Sequence, residues 1–453
     1  MNIKICLCVI ILLKICLISK CAIYSLFEVT AYNNRERRVL YDLYRKHYEF
    51  TFMNGITNEA ALPINIAVEN NYTKVFEKRL KAYDIQYLYF PGKYLDLETN
   101  ESSIGLFASK VKDISNTFYD WESIVKWINH QCRRHAIIEK TVIAKTFQRR
   151  DIIVLKISEG DDKPIVFIVG GEDGKDWTSS AVALNFVKYI LANHEKHGSL
   201  LQYFNFYIVP VLNPDGFVYS RNSDRMWSKN RQDFFPTVRC SKSFVAIGVN
   251  IARNWYFHDV KRTLHEECQG VYVGRKRLSE EETFGLSYAL NTLAVNTMAF
   301  INVKGFGKFV TIPYAHSTPT NNHDIVSDIL TSACNRVQQK FNVTYYVGTT
   351  NRFLYNYSGN MADWVKTKLN IPIVYTCYLE NQDEFLPQPQ HILPLSKHFY
   401  TMLNETLLIS KDIYGPLFSN QQTVTFSNLI GLLLCTHIIL VYKDNLIFTD
   451  FVW

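Results

Sequence analysis

Four short apolar runs, Ile152–Ile157, Ile165–Val169, Phe206–Val211 and Ala299–Val303, constrain this chain more than any other feature. Runs with so little polar alternation need cover on both faces, which a mostly parallel or mixed sheet flanked by helices supplies. Helix candidates fall at Trp121–Ile128, Ser179–Leu191 and Ser396–Ile409, and a further strand candidate at Ile137–Ala144. The pattern predicts an α/β domain with a mixed, mostly parallel sheet between helices.

Residues 23 to about 105 have a different rhythm. Tyr24–Val29, Ile64–Val68 and Gln86–Phe90 read as strands, and Asn34–Tyr44 and Phe76–Ala82 as helices. This alternation of strands and helices predicts a small α+β unit on an antiparallel sheet. At 453 residues and 47% hydrophobic composition, two folded units are expected. The predicted divisions are a leader at 1–21, the small unit at 22–105, a linker at 106–118, the α/β unit at 119–413 and an extension at 414–453. Lys110 and Lys112 in the linker offer a trypsin-like cut or are ordinary solvated charges.

The formal charge of +7 comes with no long basic run, which argues against nucleic-acid binding. Lys4 precedes an apolar stretch that ends in small residues near Ala22, the form of a secretory signal peptide, with an uncleaved anchor as the other reading. Sequons at Asn71, Asn100, Asn342, Asn356 and Asn404 fit export. The apolar run Leu429–Tyr442 is short for a membrane span, and a membrane tail, a removable anchor signal and a segment packed on the domain all stay open. With the leader gone, Cys132, Cys240, Cys268, Cys334, Cys377 and Cys435 remain, without a Cys-x-x-Cys pattern. Cys240 and Cys268 both lie in loop-like stretches and are the pair expected to bond in an oxidising compartment.

A set of motifs follows in fixed order: Gly170-Gly171 with Trp177, Asn213-Pro214-Asp215-Gly216, Asp224 through Arg231, Gly248-Val249-Asn250, Arg253-Asn254-Trp255, the Ser279-Glu280 region, Ile312-Pro313-Tyr314, Tyr355 with Ser358-Gly359, and Asp363-Trp364. Together they resemble the pancreatic-type zinc carboxypeptidases with an N-terminal activation domain. The resemblance implies a zinc held by a His-x-x-Glu segment and a distant His, with a Glu as base, and maps these positions to Asp173, Asp176, Lys304 and Tyr378. None carries the expected residue. A slip in the loop after Tyr378 would put Thr376 or Glu380 at the base position instead. The arginine expected to stabilise the oxyanion is Ser228, and the Asn partner of the carboxylate clamp is Ala252. Arg253 resembles that clamp, Tyr355 the mobile tyrosine that closes over substrate, and Ala362 the position that sets side-chain preference. Arg253 equally suits a structural ion pair. Cys268 lies where the family's disulfide partner is expected, with Cys240 a few residues upstream of the other.

Three readings follow. The first is a secreted, carboxypeptidase-like pseudoenzyme with no cofactor that still captures peptide or protein C-termini. In it the Lys304 ammonium takes the vacated metal position and bridges Asp173 and Asp176, the alternative for those two carboxylates being a solvated polar loop. The second is an active metallocarboxypeptidase holding zinc through an atypical site of Asp173, Asp176 and Glu380. The third is a membrane-displayed scaffold anchored by 429–442.

Overall fold

The computed structural model describes residues 24–46, 49–53, 56, 63–91, 113–160, 162–196, 198–240, 245–255, 266–316, 318–379 and 388–418. The predicted leader, Asn100, Lys110, Lys112, Glu380, Cys435 and the 429–442 run lie outside the described residues.

The N-terminal unit runs β1 (Tyr24–Thr30), a helix at Asn34–Lys46, β2 (Phe50–Phe52), β3 (Pro63–Glu69), a helix at Thr73–Ala82 and β4 (Gln86–Phe90). Its strands lie in the order β2-β3-β1-β4, every pair antiparallel. One face of the sheet turns Phe27, Val29, Ile64, Ile66 and Val68 toward Leu40, Phe76 and Leu80 of the two helices. The rings of Phe27 and Phe76 meet edge to face at 4.9 Å, an arrangement that adds to area burial.

The larger unit contributes β5 (Ile138–Lys145), β6 (Asp151–Ile157), β7 (Ile165–Val169), β8 (Asn205–Val209), β9 (Thr297–Lys304), β10 (Phe309–Ile312), β11 (Tyr346–Thr349) and β12 (Ile373–Tyr378). Their order is β11-β10-β12-β9-β7-β8-β6-β5. The pairs β7/β8, β7/β9, β9/β12 and β10/β11 are parallel, and β5/β6, β6/β8 and β10/β12 antiparallel. This is the mixed, parallel-rich sheet that the apolar runs predict.

Every residue of β7, β8, β9 and β12 is buried, which is why these strands show no alternation. On one face Val166, Ile168, Phe206 and Ile208 pack with the helices Trp121–Arg134, Trp177–Asn193, His323–Phe341 and Ile392–Tyr414. On the other, Ile165, Phe167, Val169, Tyr207 and Val209 pack with Glu281–Leu293 and Met361–Leu369. Each such side chain stabilises the fold by roughly 1.5–3 kcal/mol through removal from water. β8 stops at Val209, two residues before the predicted end, because Pro210 has no N–H to continue the ladder.

The carboxyl ends of β7, β9 and β12 meet along one rim. In open α/β sheets that rim is where loops and helix N-termini converge on a crevice.

Among the described residues, no helix is long and apolar enough to cross a membrane.

Candidate functional site

β7 leads into Gly170-Gly171, and Gly171 adopts a left-handed φ of 63°. A Cβ there would lie 2.8 Å from the Val211 Cα, so glycine is what the turn tolerates. The turn sends Glu172 and Asp173 back over the strand ends before the helix Trp177–Asn193 begins. Asp176 is the N-cap of that helix, its Oδ1 accepting from the Ser179 N–H at 3.0 Å. Its Oδ2 accepts from the Gly305 N–H at 2.8 Å, tying the helix start to the residue after β9. Burial raises the Asp176 carboxyl pKa, and these two amides oppose the shift.

Lys304 is the last residue of β9. Its Nζ lies 2.5 Å from Glu172 Oε2 and 2.7 Å from Asp173 Oδ2, and Asn302 Nδ2 donates to the same Glu172 oxygen at 3.2 Å. The expected bridge between Asp173 and Asp176 is therefore corrected at one end. Asp173 pairs with Lys304, but Glu172 is the second carboxylate. Asp176 is occupied by backbone amides, and neither acid sits in a solvated loop. Burial opposes charge at both ends of the Lys304–Asp173 pair. The mutual attraction outweighs it, holding Asp173 below the usual carboxylate range and Lys304 well above the usual amine range.

Tyr378 ends β12 as the register partner of Lys304. Its ring packs on Phe309 with centroids 4.5 Å apart, and burial pushes the phenol up to about 12. Thr376, on the same strand, also borders the crevice.

Arg253 is held by its own surroundings. Nη1 donates to the Ala252 carbonyl at 2.9 Å, Nη2 donates to the Tyr355 hydroxyl at 3.0 Å, and the guanidinium lies 3.7 Å over the Tyr357 ring. Where the family pattern has an Asn side chain at 252, Ala252 offers only this carbonyl. The Tyr355 hydroxyl donates in turn to Tyr44 of the N-terminal unit at 3.2 Å.

Ser228 borders the crevice, and its carbonyl accepts from Gly174 N–H at 3.0 Å and Asn213 Nδ2 at 3.2 Å. Ala362 is buried in the apolar layer with Trp255 and Trp364 and is not among the described residues lining the crevice. The crevice holds about 250 Å³ and is closed on one side by Phe52 and Met53 of the N-terminal unit. Lys175 enters it too. Burial pushes this amine down to about 8, with Asp173 opposing the shift.

Three participants escaped the sequence reading: Glu172, Lys175 and Tyr44. A carboxylate following the Gly170-Gly171 turn at the end of an apolar strand run was the available signal for Glu172. Nothing local marked Tyr44.

Of the remaining predicted positions, Cys268 borders the crevice and the others do not line it. Cys240 and Cys268 form a disulfide across 28 residues. Cys377 is buried, its Sγ 3.6 Å from Met402 Sδ, and burial holds its thiol well above the ordinary range, which makes it a poor nucleophile. Asn71, Asn342 and Asn356 are exposed and Asn404 is half-buried.

A helix-covered, parallel-rich sheet with acidic and basic side chains gathered at the carboxyl ends of its central strands, capped by a small antiparallel unit, is here the scaffold of a peptidase family. The chain belongs to the zinc carboxypeptidase family (Peptidase_M14), whose profile matches residues 124–401. It is 29% identical over 270 residues to a zinc carboxypeptidase of Simulium vittatum, covering 59% of this chain and 86% of that protein. To a mast cell carboxypeptidase A of Mus musculus it is 25% identical over 398 residues, 84% of this chain and 91% of that one. The fold is shared with the solved structure of carboxypeptidase A from Helicoverpa armigera, with a TM-score of 0.76 at 18% identity over 86% of this chain and 98% of that chain. It is also shared with thrombin activatable fibrinolysis inhibitor, with a TM-score of 0.72 at 21% identity over 86% and 99%.

Proposed function

We propose that this chain is a secreted, catalytically silent zinc carboxypeptidase relative that keeps part of a binding site for peptide C-termini. The observation that carries the reading is the Lys304 ammonium, 2.5 Å from Glu172 and 2.7 Å from Asp173.

Zinc sites are built from neutral imidazole, thiolate and carboxylate groups, and an ammonium has no lone pair to offer. The residues present therefore do not fit the family's metal. Lys304 would have to lose its proton to bind zinc, whereas two carboxylates hold that proton on it. No step of hydrolysis is assigned to this site. Two further features support silence. Tyr378 presents a phenol that burial keeps protonated at neutral pH, which is a poor general base. Ser228 supplies no cation where charge would develop on a scissile carbonyl.

What remains is Arg253, the guanidinium suited to a terminal carboxylate. The N-terminal leader pattern, the sequons and the Cys240–Cys268 disulfide support an oxidising, extracellular residence.

Metal analysis of the purified protein, paired with release of C-terminal residues from a peptide series, tests the proposal. The expected result is substoichiometric zinc and no chelator-sensitive release. About one zinc per chain together with chelator-sensitive hydrolysis would establish the active-enzyme reading instead.

A further inference from the structure

In the family this chain resembles, a detachable N-terminal unit is the expectation. The contacts between the two units here lead elsewhere. Met226, 5% exposed, completes an apolar cluster whose other buried members, Tyr24, Leu26 and Ala67, all belong to the N-terminal unit. Tyr355, 8% exposed, is in the same cluster as Phe27, Phe76 and Leu80, the N-terminal unit's own core. Each is a side chain of the larger unit serving as core for the smaller one.

Polar contacts fix both insertions. The Tyr24 hydroxyl donates to Asp224 Oδ1 at 2.8 Å, and the same oxygen accepts from the Met226 N–H at 3.0 Å. One carboxylate thus joins β1 to the backbone that presents Met226. Beside it, the Arg225 guanidinium lies 3.6 Å over the Trp177 ring, and its Nη1 donates to the Lys175 carbonyl at 2.7 Å. Asp224-Arg225-Met226 is anchored to the larger unit at its middle and to the smaller unit at both ends. Around Tyr355, the rings of Tyr41 and Tyr44 meet its ring edge to face at 5.5 and 5.4 Å.

We propose that the surface formed by Asp224, Met226 and Tyr355 is a permanent seat for the chain's own N-terminal unit, which remains bound as a structural half of the molecule after the connecting segment is cut. Separation would open the smaller unit's core at two points and return Met226 and Tyr355 to water. Buried Tyr and Met anchors with satisfied polar neighbours are the features that dominate stable interfaces. A unit whose core is completed by its partner does not leave with its core intact.

The test is a protease site engineered within residues 92–112 of the full chain, followed by gel filtration and thermal denaturation. Cut protein should run as one species at about 1 μM, as pieces held with a dissociation constant of about 1 nM would. It should unfold in a single transition.

In cut M226A/Y355A the two pieces should associate at least about 100-fold more weakly, as loss of two buried anchors implies. The uncut double variant should keep its near-ultraviolet spectrum, which separates weakened docking from failed folding. If it does not fold, Tyr24→Phe, which removes one hydrogen bond and almost no volume, should still weaken association about 10-fold. Separation of the cut wild-type pieces at that concentration, or variant pieces that associate as tightly as wild type, overturns the proposal. Because the readout is association, its failure leaves the proposed lack of catalysis untouched.

Discussion

Lys304 and Tyr378 are register partners at the ends of the parallel strands β9 and β12, so an ammonium and a phenol stand side by side on the rim where the two strands finish. The pairing places both substitutions in one electrostatic neighbourhood. Lys304 opposes the burial that pushes the Tyr378 phenol up, and Tyr378 in turn adds to the groups that hold Lys304 charged.

Lys304→Met removes the cation that contacts both the buried Glu172 and the half-buried Asp173. Loss of one partner from a buried ion pair costs about 3–5 kcal/mol, because the remaining charge is left without compensation. Denaturant unfolding at neutral pH should show that loss. The double variant K304M/E172Q should recover part of it, and equal stability of K304M and wild type would contradict the pairing.

Asp176→Ala should cost about 2 kcal/mol or more, since one side chain both caps the helix Trp177–Asn193 and holds the Gly305 amide. Asp176→Asn keeps an N-cap acceptor and should recover part of the loss. Chemical denaturation of the three proteins distinguishes them.

Arg253→Ala should lower affinity for a peptide's free C-terminal carboxylate by at least about 10-fold, as expected for loss of a charge-assisted hydrogen bond. A C-terminally amidated peptide should bind weakly to both proteins. Calorimetric titration with the two peptides is the measurement, and unchanged affinity would assign Arg253 a purely structural role.

Glu282, buried beside Asn230, has its carboxyl pushed up to about 8, chiefly by burial with Glu280 adding to it. A raised acid pKa means that the folded state holds the proton more tightly than the unfolded chain. This contribution is fully present below the unfolded value, about 4.3, and is lost as pH rises through about 8. Glu282→Gln should therefore gain stability relative to wild type as pH rises across that window. Melting temperatures of both proteins at pH 5 and pH 9 check the sign.

Removing the Cys240–Cys268 bridge frees a loop of 28 residues. Its chain-entropy contribution is about 3–4 kcal/mol. Cys240→Ala with Cys268→Ala should lower the denaturation midpoint accordingly.

The sheet was largely legible in the sequence because β7, β9 and β12 are buried on both faces, and such strands carry their apolar character without interruption. Lys304 was placed because it stands before Gly305-Phe306 with Pro313 nine residues on, and a motif position survives a change of side chain. Glu172 was not, because its role depends on the left-handed turn at Gly171 and on Asn302 of the neighbouring strand, 130 residues away. The same holds for Tyr44, whose hydroxyl partner lies 311 residues along the chain. Local pattern reports which face a residue occupies; it carries no information about which distant group shares that face.

The cation between Glu172 and Asp173 is encoded in the chain. A loop organised around a captured ion waits on the supply of that ion in the compartment where it matures. Here the loop can take its form as β9 takes its place in the sheet, so molecules made in metal-poor and metal-rich surroundings should have the same shape.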